Sequence, residues 1–85
     1  MAPVPPSWFK QRQGNMEAAG DNMYRLTAPN LDPHFILIRP ADSGWQAALR
    51  KQAEGPDIDA TVRAYATPPD AWQAAFELFR NHAVV

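Results

Sequence analysis

The chain has 85 residues, no cysteine, 46% hydrophobic residues and a net charge of −1, from eight Lys and Arg against nine Asp and Glu. That length sets one domain as the ceiling, and the composition is that of a globular chain rather than a disordered one. The charge balance excludes a bulk electrostatic footprint for nucleic acid or anionic membrane, and the missing thiols exclude a disulfide framework and a thiolate metal site.

Residues 1–21 read as a flexible, proline-containing N-terminal arm. Met1-Ala2-Pro3-Val4-Pro5-Pro6 carries fixed φ angles and few amide donors, so an extended, solvated conformation is expected. It has neither a basic n-region nor an apolar h-region, so no secretory signal is expected and the expected address is cytoplasmic. Pro3-Val4-Pro5-Pro6 also fits the P-x-x-P string that SH3-type domains bind, a string short enough to be common by chance. Ser7 is placed to cap a short helix through Trp8 and Phe9, which Gly14 and Gly20 interrupt. Trp8 and Phe9 lie outside the expected core. Such a pair either folds back or docks on a partner, where large aromatics carry most of the interface energy.

Residues 22–85 read as a single α+β domain. Met23 to Ala28 alternates weakly and is expected as an edge strand, followed by a turn over Pro29-Asn30-Leu31-Asp32-Pro33. His34 to Arg39 is β-branched and aromatic, and its near-continuous apolar run Phe35-Ile36-Leu37-Ile38 suits a central strand. That run is far too short to span a bilayer, so no membrane role is expected. After the turn string Asp42-Ser43-Gly44, Trp45 to Lys51 reads as a strand in preference to a helix, with Trp45, Ala47 and Leu49 on one face and Gln46, Ala48 and Arg50 on the other. Gln52 to Asp57 holds Gly55-Pro56 and reads as a loop. Ile58 to Ala66 alternates strictly and predicts a strand with Ile58, Ala60, Val62, Ala64 and Ala66 on a buried face.

Thr67-Pro68-Pro69-Asp70 then opens a helix. Thr67 is the N-cap, Pro68 takes the first helical position, where its missing N–H costs nothing, and Asp70 suits the positive helix end. Trp72, Ala75, Phe76, Phe79 and Ala83 fall on one arc; Asp70, Gln73, Glu77, Arg80 and Asn81 fall on the other. The predicted fold is α+β: a three- to four-stranded antiparallel meander with one C-terminal amphipathic helix packed on one face.

The residues offer little to catalysis. The two histidines, His34 and His82, stand far apart in the chain with no thiolate partner. Ser43 is explained by its turn, Asp57 and Asp59 read as solvated, and the four glycines form no phosphate-binding loop. No cofactor, no metal and no enzymatic activity are expected.

Two binding surfaces remain. The sheet face away from the helix is expected to gather Arg50, Arg63 and Tyr65, with Gln46, Ala48 and Arg25 or Arg39. An aromatic among arginines on an open sheet can stack a base and contact phosphate. The element order, with Gly44-Trp45 opening one strand and an alanine-rich helix after the last, resembles plant AP2 domains and the arm-binding domains of tyrosine recombinases over Phe35 to about His82. Both families use a three-stranded sheet and one helix to enter DNA grooves, and both are strongly basic on the reading strands, which this chain is not. The second surface is the aromatic arm itself. The apolar tail His82-Ala83-Val84-Val85 is further expected to pack on the sheet edge or to pair with a second copy.

The leading expectation is therefore a small non-enzymatic protein-interaction module, regulatory or an assembly accessory, that takes a protein partner or a second copy through Trp8, Phe9, Arg50, Arg63 and Tyr65. A weak nucleic-acid-binding domain that uses Arg50, Arg63 and Tyr65 on the open sheet face is the alternative.

Overall fold

Three two-residue turns fold this chain into a meander. In the computed structural model, which describes residues 3–83, Asp21-Asn22 joins β1 (Asn15–Gly20) to β2 (Met23–Ala28). Pro29-Asn30 joins β2 to β3 (Leu31–Ala41), and Asp42-Ser43 joins β3 to β4 (Gly44–Arg50). Asn22 and Asn30 take φ angles of +54° and +65°, the left-handed conformation that tight hairpins require and that asparagine tolerates. A longer loop leads to β5 (Asp57–Ala60). All neighbours are antiparallel, in the order β1-β2-β3-β4-β5. The expectations for Val84 and Val85 lie outside the described residues.

The sheet has five strands, not three or four. The added strand, β1, comes from the stretch read as a flexible arm, and it makes β2 an interior strand. The same stretch supplies α1 (Ser7–Gln11). That short helix ends in a Schellman arrangement, in which the Gly14 N–H donates to the Phe9 carbonyl and the Gln13 N–H to the Lys10 carbonyl. Gly14 lies against the Phe9 ring so closely that a Cβ there would stand 2.5 Å from it. Phe9 is thereby turned inward and is 1% exposed.

The C-terminal helix α2 (Pro68–Ala83) forms as its sequence dictates. The Asp70 N–H reaches the Thr67 hydroxyl at 3.4 Å, the weak cap bond expected of a Thr N-cap. Ala71, Trp72, Ala75, Phe76 and Phe79 are buried beneath it, while Asp70, Gln73, Glu77 and Arg80 face out. The sheet answers with Leu26, Ile36, Ile38, Ala47 and Leu49. Small alanines on β4 and α2 let the two layers approach, and the aromatics fill the space around them. Phe79 meets Phe9 edge-on at 5.9 Å and stacks with Trp8 at 6.2 Å. Tyr24 meets Trp72 at 5.3 Å. The buried His34 is held by the Asp32 carbonyl, 2.8 Å from its Nδ1, and sits edge-on to Phe79.

Ile58 to Ala66 is not one continuous strand with a buried face. Strand β5 ends at Ala60, Ile58 is exposed and Val62 is fully so. Ala48 pairs with Ala60, yet Trp45 pairs with Tyr65, so the outer chain carries two extra residues between these points. Val62, Arg63 and Ala64 loop outward to absorb them. The loop is pinned on one side by Thr61, whose N–H donates to the Ala47 carbonyl at 2.9 Å and whose hydroxyl accepts the Ala47 N–H at 3.1 Å. On the other side the Trp45 and Tyr65 backbones exchange bonds of 2.8 and 2.7 Å.

Candidate binding groove

The five residues singled out from sequence do not share one surface. Arg50 lies on the sheet face away from α2. There the register aligns Glu17, Arg25, Phe35, Arg50 and Asp57 in one row across all five strands. Its charge is not free. Arg50 Nε donates to Asp57 Oδ1 and Arg39 Nη2 donates to Asp57 Oδ2, both at 2.8 Å. Arg39 also donates to Gln46 Oε1, and Gln46 in turn donates to the Thr61 carbonyl. The face is therefore a mixed network centred on Phe35, not a continuous cationic surface.

The Arg39 hydrogen bond, reinforced by Arg50 and opposed by partial burial, holds the Asp57 carboxyl below its ordinary pKa. Because the folded-state value is the lower one, this stabilisation is complete above the unfolded-state value and fades as pH falls through the folded one. The Asp57 side chain is 26% exposed, so solvent screening keeps the effect small. Asp57→Asn is expected to cost about 1 kcal/mol at neutral pH. The gap from wild type should begin to narrow only below about pH 4 and close once the folded-state carboxyl is protonated. Paired thermal melts at pH 7 and in acid would check this, and a gap independent of pH would show that the ion pairs contribute nothing.

Phe9 belongs to the core. The remaining three residues come together on the other side of the molecule. Trp8, Arg63 and Tyr65 line one groove of about 550 Å³ with Asp70, Phe76 and Glu77 of α2 and with Val4 and Pro6. Each arrives by a separate route. Trp8 is brought in by the turn of α1 that buries Phe9; its ring stacks with Phe79 and has the Arg80 guanidinium 5.7 Å over it. Tyr65 is placed by its backbone pairing with Trp45. Arg63 projects from the outward loop, and its guanidinium lies 4.9 Å over the Tyr65 ring, a cation–π contact that holds both side chains in place. Arg63 and Tyr65 were expected beside Arg50. The two extra residues in the outer chain turn them toward α2 instead.

A second, mostly apolar groove of about 600 Å³ lies alongside, lined by Ile38, Trp45, Trp72, Pro68, Pro69 and Pro3. Val4, Asp70 and Gln73 border both grooves. Sequence reasoning missed this second groove, since Trp45 and Trp72 read only as core residues. The histidines stand elsewhere, at the far end of α2, where His82 Nε2 lies 2.8 Å from Asp59 Oδ2. That contact holds the Asp59 carboxyl below its ordinary pKa.

No helix among the described residues is long and apolar enough to cross a membrane. No protein-family model, curated protein or solved structure matches the chain.

Proposed function

We propose that this chain is a small protein-binding module without catalytic turnover, and that it binds through the groove formed by Trp8, Arg63 and Tyr65. The observation that carries this reading is their convergence: two half-buried aromatic rings, each backed by a guanidinium, beside the exposed face of α2. Tryptophan, tyrosine and arginine are the residue types enriched among binding hot spots. Here they are already held in place, so less side-chain entropy is lost on association. The nucleic-acid reading has weaker support. It needs free cations on the open sheet face, and Arg39 and Arg50 both close on Asp57.

A photo-crosslinking residue substituted at Gln73, which borders both grooves, is expected to capture a discrete protein from cells that make this chain. The same residue at exposed Glu54, in the loop before β5, should capture none. Tyr65→Ala should weaken the capture about tenfold or more while leaving the melt near that of wild type, because only the Tyr65 backbone holds the bridge to Trp45. Equal capture from both positions would refute the groove as the interface.

A further inference from the structure

We infer that the groove recognises a proline-rich segment carrying a basic residue, and that residues 3–6 of this chain are a built-in competitor for it. The inference rests on the protein-binding reading above and names the chemistry of the partner. Pro3-Val4-Pro5-Pro6 does not extend into solvent. Its three prolines are half-buried while Val4 is 81% exposed. Pro6 has φ −67° and ψ 157°, the polyproline-II conformation. That helix repeats every three residues, so a ligand in that conformation presents a proline on the same edge at every third position. Pro3 lines the apolar groove and Pro6 the polar one, and Val4 borders both. The chain thus lays a short proline strap across a surface bordered by all three of its tryptophans: Trp8 on one side, Trp45 and Trp72 on the other.

Aromatic-lined grooves are the usual receptors for polyproline-II segments, which come pre-extended and lose little entropy on docking. The charge fits as well. Among the described residues that line the polar groove, Asp70 and Glu77 are the acids and Arg63 is the only base, while Arg80 lies over the Trp8 ring outside that lining. The lining thus carries an excess of one negative charge, which suits a ligand arginine or lysine. The strap has no base between Pro3 and Ser7, so it fills the apolar requirement and leaves the charged one open. If the strap is seated about nine-tenths of the time, an outside ligand binds about tenfold more weakly than its intrinsic affinity.

The test uses the full chain and its tryptophan fluorescence. The probe is a capped peptide, proline-proline-valine-proline-proline-arginine. One control replaces the arginine with glutamate, and another replaces every proline with glycine. The loosened-strap variant is Pro3→Gly with Pro5→Gly and Pro6→Gly, its folding checked by circular dichroism. Saturable binding of the arginine peptide is expected, at least threefold tighter than the glutamate peptide and about five- to tenfold tighter to the loosened variant than to wild type. Equal affinity for the glycine control, or no gain on loosening the strap, would overturn the inference. So would concentration-dependent dimerisation that the triple variant abolishes, which would assign the groove to the strap of a second copy. A partner captured at Gln73 that excess peptide fails to displace would leave the protein-binding reading intact and remove only the proline-rich ligand.

Discussion

Phe79→Ala is expected to destabilise the fold by about 3–5 kcal/mol. For a domain of this length, each kcal/mol lowers the melting temperature by about 4–8 °C. The size follows from position. Phe79 is fully buried and touches Trp8, Phe9 and His34, so one truncation opens a cavity between the sheet, α2 and α1 together. A chain of 85 residues has roughly 4–13 kcal/mol of total stability to lose. Phe9→Ala should cost a similar amount, and it is the more informative variant. A free arm would make that substitution silent, whereas a core residue 5.6 Å from Phe76 and 5.9 Å from Phe79 makes it as damaging as a change in the helix. Because Phe9 and Phe79 share a contact, the double variant should cost less than the two singles combined. Urea and thermal unfolding followed by circular dichroism would measure all three. A Phe9→Ala melt within about 2 °C of wild type would return residues 1–21 to the status of a detached arm.

That contrast shows where the sequence was legible. Helix α2 could be read because every device was local: the Thr67 cap, Pro68 at the first position, and aromatics at helical spacing. Strands β3 and β4 could be read for the same reason, since their apolar runs meet at the tight turn Asp42-Ser43. Strand β1 could not. It lies at the sheet edge, where Met16 alone among its six residues is even half-buried, and an edge that buries so little leaves no hydrophobic alternation to detect. The signal available was the string Gly20-Asp21-Asn22, of which only Gly20 was read, as an interruption of the short helix; Asp21-Asn22 is in fact a hairpin turn. Ile58 to Ala66 failed in the opposite way. Its alternation is real, but the backbone bonds of Thr61 and Tyr65 to β4 set its path, and no local pattern encodes them. The groove inherits both failures. Trp8, Arg63 and Tyr65 were each noticed, but their meeting depends on α1 folding back and on the outward loop, both products of long-range packing.

Gly44→Ala is the substitution expected to separate that long-range packing from the core. A Cβ built on Gly44 would stand 2.1 Å from the Tyr65 carbonyl oxygen and 2.9 Å from its carbon. The obstacle is main chain, so no side-chain rotation relieves it. Gly44 also holds φ at +151°, where any residue with a Cβ is strained. The Tyr65 carbonyl must retreat, and it is the acceptor of the 2.8 Å bond from the Trp45 N–H. Overpacking of this kind costs about 1–3 kcal/mol, and each backbone bond lost adds about 1 kcal/mol. The sum expected is roughly 2–4 kcal/mol, with the damage local to the outer chain. Amides from Thr61 to Thr67 should exchange faster, while those of β3 and of the middle of α2 keep their protection. Any ligand held against Tyr65 and Arg63 should be lost together with the bridge, since both side chains owe their positions to it. Tyr65→Ala, which removes the ring and keeps the backbone pairing, should weaken the same binding about tenfold or more with little change in stability. If the Gly44→Ala protein melts like wild type and binds like it, the outer chain can shift without consequence, and the Trp45–Tyr65 pairing is not what places the groove.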